Sequence, residues 1–159
     1  MNLPNRKPTR LKNYDYSNEG AYFITICTYK KQKLLCDIVG EGLCALPSIK
    51  LTTIGEIVKQ SIEYIDSNYK GVLVDKYIIM PNHIHLIINN QTGGHGDPPL
   101  QVYDIIGRFK SFTDNKYGDT LWQRSFHDHI IRGEKDYLKI WNYIDTNPQK
   151  WKEDCFYTD

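Results

Sequence analysis

The chain has 159 residues, of which 40% are hydrophobic, 25% charged and 13% aromatic, and its formal net charge is +1. That is one domain's length, enough to bury roughly 70% of the surface its unfolded form exposes. A nearly neutral, aromatic-rich composition excludes intrinsic disorder, and with neither a glycine period nor sustained heptads the chain is not collagen or coiled coil.

The first thirteen residues are polar and carry Arg6, Lys7, Arg10 and Lys12 with no acid among them. A basic arm of this kind either lies along a phosphate backbone or is simply solvated. It has no apolar signal-peptide core, and no stretch of the chain approaches the about 20 apolar residues that span a bilayer. The expectation is therefore a cytoplasmic protein without a membrane anchor. Cys27, Cys36, Cys44 and Cys155 form no CxxC pair and read as free thiols.

Ala21–Lys31 is aromatic and β-branched and predicts a strand, with Phe23, Thr25 and Cys27 on one face and Tyr22, Ile24 and Ile26 on the other. Residues 32–50, with Gly40, Gly42 and Pro47, predict a loop with at most a short extended piece. Leu51–Tyr69 predicts a helix: Thr52 or Thr53 with Glu56 suits a capping box, and Ile54, Ile57, Val58, Ile62 and Ile65 recur at helical spacing. Asn68 and Gly71 close it.

Val72–Met80 and His83–Asn89 predict two strands joined at the Pro81-Asn82 corner. Gln91–Pro99 is a loop. Leu100–Tyr117 predicts a second helix with Val102, Ile105, Ile106, Phe109 and Phe112 on its apolar stripe, stopped by Gly118. Leu121–Arg132 predicts the last strand, Glu134–Asn147 a third helix ending near Pro148, and the remainder a short mixed tail. The order β-α-β-β-α-β plus one helix predicts a single α+β domain. It would be a ferredoxin-like antiparallel sheet with two helices on one face and the third free to cover the other.

Three groups of residues carry chemistry. His83 and His85 sit at i and i+2 on a strand, so both imidazoles project to one face while Ile84, Leu86 and Ile88 project to the other. Two neutral imidazoles in register can hold one divalent ion. His127 and His129 repeat that spacing near Arg124 and Arg132, and spacing alone does not choose between the pairs. No carboxylate is expected near the first pair, which disfavours an unrelated hydrolase that activates water there. On the third helix, Tyr137, Ile140, Trp141 and Ile144 form an apolar stripe, with Tyr143 and Asn147 neighbours on its flank. Packing at the rim and capping of the helix would account for those two as well. There is no Walker A or GxGxxG loop, so no nucleotide cofactor is expected.

The strand Met80–Ile88 (MPNHIHLII), the run Leu121–Arg132 (LWQRSFHDHIIR) and the helix Asp136–Trp151 (DYLKIWNYIDTNPQKW), in this order and at these intervals, resemble the REP-associated tyrosine transposases of the single-tyrosine HUH family. The opening Arg10–Ser17 leading into Gly20–Thr25 is similar too, and the likeness is weakest over residues 32–50 and 91–99. The resemblance implies a nuclease and strand transferase that cuts single-stranded hairpin DNA, leaving a 5′-phosphotyrosine and a free 3′-OH that rejoins strands without ATP. His83 and His85 would be the HUH metal pair, Tyr143 the nucleophile and Asn147 a third ligand, with Mg²⁺ or Mn²⁺ as cofactor. His127 and His129 would support the site. Arg6, Lys7, Arg10, Lys12, Arg108, Lys110, Arg124 and Arg132 are candidate DNA contacts. Monomer and homodimer are both compatible with the family, as is a domesticated descendant that binds hairpins without cutting.

Overall fold

A computed structural model describes residues 19–40, 46–91 and 101–159 of the chain. The chain runs β1 (Gly20–Cys27), β2 (Cys36–Val39), β3 (Ser48–Leu51), α1 (Thr53–Asn68), β4 (Val72–Met80), β5 (His83–Asn90), α2 (Val102–Tyr117), β6 (His127–Ile130) and α3 (Glu134–Thr146), with 3-10 turns at Tyr29–Lys31 and Pro148–Glu153. The main sheet has the order β4-β5-β1-β6 and every neighbouring pair is antiparallel. This is the ferredoxin-like arrangement that the element order predicts.

Alternation along the two central strands sorts the core into two layers. Tyr22, Ile24 and Ile26 of β1 and Ile84, Leu86 and Ile88 of β5 are buried against α1 and α2, which contribute Val58, Ile62, Ile65, Ile105, Ile106 and Phe109. The opposite face carries Ile87 and Phe23, packed against Ile140 and Ile144 of α3. Both faces of β5 are thus covered, and His83 and His85 are 0% and 1% exposed.

α3 is tied to the edge strand β4. The β4–β5 register slips between Val74 and Lys76. The extra residue, Asp75, accepts a hydrogen bond from the Tyr137 hydroxyl at 2.9 Å. Lys76 pairs with Asp145 and lies over the Trp141 ring at 4.2 Å. A bulge that re-aims one side chain is a common device for docking a helix on a sheet edge.

Several local expectations need correction. Residues 32–50 hold more than a loop, because β2 and β3 pair as a small antiparallel sheet, Cys36 opposite Leu51. The predicted strand over 121–132 is regular only at β6. Leu121 and Trp122 are buried by packing on α2, where the Trp122 indole donates to Thr113 Oγ1 at 2.7 Å. Phe112, placed on the apolar stripe, is 51% exposed. Thr52 is the N-cap of α1, bonded to the Gly55 amide at 3.0 Å, so Gly55 and not Glu56 occupies the capping-box position. Gly55 is required there for space, since a Cβ would run into the Leu35 carbonyl oxygen. Gly118 ends α2 with φ +85°, the left-handed conformation that glycine adopts without strain. Cys27, Cys36 and Cys155 are free thiols, as expected. No helix of the described residues is long and apolar enough to cross a membrane.

Candidate active site

The site grows from the corner between β4 and β5. Pro81 and Asn82 turn the chain, and β5 then presents His83 and His85 to the face that α3 covers. Their Nε2 atoms lie 3.1 Å apart. On its outer nitrogen, His83 Nδ1 meets Asn82 Oδ1 at 2.9 Å, and His85 Nδ1 meets Thr25 Oγ1 of β1 at 2.8 Å. The cross-strand register puts Thr25 directly opposite His85. Burial holds both imidazoles neutral, pushed down to about 3. Lys31 lowers His83 further while the Asn147 amide opposes the shift. For His85, the neighbouring His83 adds to the effect and Asp154 opposes it.

α3 brings the tyrosine to this pair. The Tyr143 ring lies 5.2 Å from that of His85 and 6.1 Å from Phe23, which itself stacks on His85 at 5.2 Å. Tyr143 is 38% exposed, so its ring is seated while one side remains open to solvent. Burial holds its phenol well above the ordinary value, with Asp154 and Cys155 adding to the effect. One turn on, Asn147 occupies the C-cap position, where its backbone N–H reaches Ile144. Its side chain does not cap the helix: Nδ2 donates to Asp154 Oδ2 at 2.6 Å. Its Oδ1 is buried with no hydrogen-bond partner.

Asp154 lies in the tail that the sequence left without a role. After the 3-10 turn at Pro148–Glu153, the chain returns across the imidazoles. Asp154 Oδ2 accepts from the Tyr143 hydroxyl at 3.4 Å, and its Oδ1 accepts from the Phe156 amide at 2.7 Å. His83, His85 and Asp154 offer ligand atoms that all lie within 4.8 Å of one another. The expectation that no carboxylate stands near the first histidine pair therefore fails: the fold supplies one from 69 positions further along the chain than His85 (154 − 85). The Phe156 ring covers both imidazoles, 4.6 Å from His83 and 5.9 Å from His85.

The second histidine pair is not gathered into this cluster. His127 and His129 lie on β6 opposite Thr25 and Phe23, on the same face but one strand further out, and both are exposed. His129 Nε2 pairs with Asp136 Oδ2 at 2.8 Å, which ties β6 to the first turn of α3. Of the candidate DNA contacts, Arg6, Lys7, Arg10 and Lys12 lie outside the described residues. Arg108 lines a cleft of about 640 Å³ between α1 and α2, on the face away from the imidazoles, with Phe112 and Lys116. The Lys110 ammonium is already engaged, donating to the carbonyls of Gln123 at 2.6 Å and Arg124 at 3.0 Å. Arg124 is exposed, and the backbone N–H of Arg132 donates to Asp136 Oδ2 at 3.1 Å.

No family model matches the chain. An uncharacterized protein of Haemophilus influenzae is 36% identical over 178 aligned positions, which span 99% of this chain and 96% of that protein. A second protein of that organism, named "Putative REP-associated tyrosine transposase", is 27% identical over 153 positions, 88% of this chain and 77% of its own length. Among solved structures, a REP-associated tyrosine transposase bound to a REP hairpin has the same fold, with a TM-score of 0.65 over 89% of this chain and 74% of its own, at 21% identity. In fold and in sequence the chain is thus similar to REP-associated tyrosine transposases, with the histidine pair and the tyrosine helix facing one another across one sheet face.

Proposed function

We propose that the chain cleaves and rejoins single-stranded, hairpin-containing DNA through a covalent bond to Tyr143, with a divalent ion held by His83, His85 and Asn147. The observation that carries this reading is the meeting of the Tyr143 ring with that of His85, beside an amide oxygen that is buried without a partner. Buried polar atoms are nearly always satisfied. An unpartnered amide oxygen that reaches His83, together with two neutral imidazoles, would suit a cation. Asp154 adds a carboxylate to these donors. Two nitrogen donors suit Mn²⁺ better than Mg²⁺, which prefers oxygen.

Tyr143 Oη would attack the phosphorus of the scissile diester. The Oη–P bond forms, the P–O3′ bond breaks, and the 3′ oxygen leaves and takes up a proton from solvent to become a free hydroxyl. Asp154 Oδ2, which accepts from the phenol at 3.4 Å, would take its proton. A bound divalent ion supplies positive charge that polarises the phosphate and screens its repulsion of the incoming oxygen. The second attack, by a 3′-OH on the phosphotyrosine, regenerates the phenol. Because the diester's energy is kept in that bond, no nucleotide is consumed. Phe23 contacts both the His85 and the Tyr143 rings and would help to orient them. Arg124 and Arg132 would contact phosphates beside the site, and His127 and His129 would extend its edge.

The test is incubation of the protein with end-labelled hairpin DNA and Mn²⁺, followed by a denaturing gel. A protein–DNA adduct that Tyr143→Phe abolishes is expected. Hairpin binding without any adduct, under Mn²⁺ and Mg²⁺ alike, would make the chain a domesticated binding protein. Repeated turnover with no protein-linked DNA would make it a hydrolase.

A further inference from the structure

Two residues outside the proposed ligand set decide which imidazole nitrogens face the site, and they do so by different means. Asn82 is 0% exposed. Its Nδ2 donates to the Phe156 carbonyl at 2.8 Å and the Lys31 carbonyl at 3.3 Å, with Thr158 Oγ1 at 3.5 Å. Those two carbonyls can only accept. A flipped amide would set its oxygen against both of them, so the network fixes Oδ1 toward His83. Oδ1 can only accept in turn, so His83 Nδ1 must carry the hydrogen. A neutral imidazole carries one, which leaves the lone pair on His83 Nε2, aimed at His85.

Thr25 constrains His85 differently. A hydroxyl both donates and accepts. With Nε2–H on His85, that hydrogen points to His83 Nε2 and the Thr25 hydroxyl donates to His85 Nδ1. With Nδ1–H on His85, the hydroxyl accepts instead, and both Nε2 lone pairs are free. No proton leaves the protein in passing from one arrangement to the other; it moves from Nε2 to Nδ1.

Resting on the reading of His83 and His85 as ligands, we propose that Asn82 locks His83 in the cation-ready tautomer while Thr25 lets His85 alternate between closing the site and opening it. In the absence of an ion the two imidazoles hydrogen-bond to each other. An ion displaces that bond, and the Thr25 hydroxyl turns with the ring's proton. Asn82 and Thr25 act through the imidazoles and are positioning residues. The Phe156 and Lys31 carbonyls take part indirectly, because they hold the Asn82 amide.

Long-range ¹H–¹⁵N NMR of the full chain labelled at its five histidines reads this directly. Without metal, His83 is expected as the Nδ1–H tautomer and His85 as Nε2–H. Addition of diamagnetic Zn²⁺ should leave the first unchanged and convert the second to Nδ1–H. By calorimetry with Mn²⁺, Thr25→Val and Asn82→Ala should each weaken binding roughly 10- to 100-fold, the range seen when a ligand's hydrogen-bond partner is removed. Thr25→Ser keeps the hydroxyl and should bind as the parent does. A metal-free spectrum with Nε2–H on His83, or Thr25→Val binding Mn²⁺ like the parent, overturns the proposal while leaving the ligand assignment intact. Spectra in which neither imidazole responds to Zn²⁺ overturn both.

Discussion

Asn147 spends its amide hydrogen on Asp154 Oδ2 at 2.6 Å, and its own oxygen is left buried with nothing to accept. The helix does not need that side chain as a cap, because the backbone N–H of Asn147 already reaches Ile144. Asn147→Ala is therefore expected to leave α3 folded and to weaken Mn²⁺ binding about tenfold or more, about 1.4 kcal/mol. Circular dichroism and calorimetry on the same sample check the two halves. Unchanged Mn²⁺ affinity would remove Asn147 from the ligand set.

Acid should destabilise the protein through the same imidazoles. In the folded chain they are pushed down to about 3, against 6.5 for an ordinary histidine. As the pH falls below about 6.5, the unfolded chain takes up protons that the folded one refuses, so stability drops. The slope is up to about 1.4 kcal/mol per pH unit for each imidazole, and it levels off near the folded value. Urea titrations between neutral pH and pH 4 should show it. A variant with glutamine at both positions should lose that part of the slope.

Gly55 has no room for a side chain, since a Cβ would meet the Leu35 carbonyl oxygen. Gly55→Ala should cost roughly 1–3 kcal/mol, the range for overpacking, despite alanine's better helix propensity. A urea midpoint equal to or above the parent's would show that the 34–35 segment yields.

Lys110 and Arg124 should separate by salt dependence. The Lys110 ammonium is committed to two carbonyls, and burial lowers it from its usual range. Lys110→Met should reduce stability by about 1 kcal/mol and leave the salt slope of hairpin binding unchanged. Arg124→Ala should do the reverse, lowering that slope by about one. The two slopes and two urea midpoints decide it.

The alternation of β5 was plain in the sequence because both its faces are packed, so histidines and isoleucines each had to fall on alternate positions. The Tyr143–Asn147 pair was plain for the same kind of reason: a helical turn makes them neighbours. Asp154 was not legible. It reaches the site through a 3-10 turn and a reversal of the chain, and contacts of that kind leave no period in the sequence. Phe112 fits the helical stripe of α2 but faces the cleft where α1 and α2 part. β2 and β3 are four residues each, separated by glycines and a proline, too short for alternation to stand out. Trp122 does pair with Thr28 across an isolated antiparallel bridge, but its side chain is buried by a helix, through its ring on Phe109 at 5.8 Å.

The bulge at Asp75 fastens the tyrosine helix to the sheet that holds the imidazoles, within one polypeptide. On the proposed reading, each molecule would contain a whole reaction centre of its own. Covalent capture of DNA should then proceed at a rate per molecule that dilution does not alter. Mixing a chain that lacks both imidazoles with one that lacks the phenol should restore nothing.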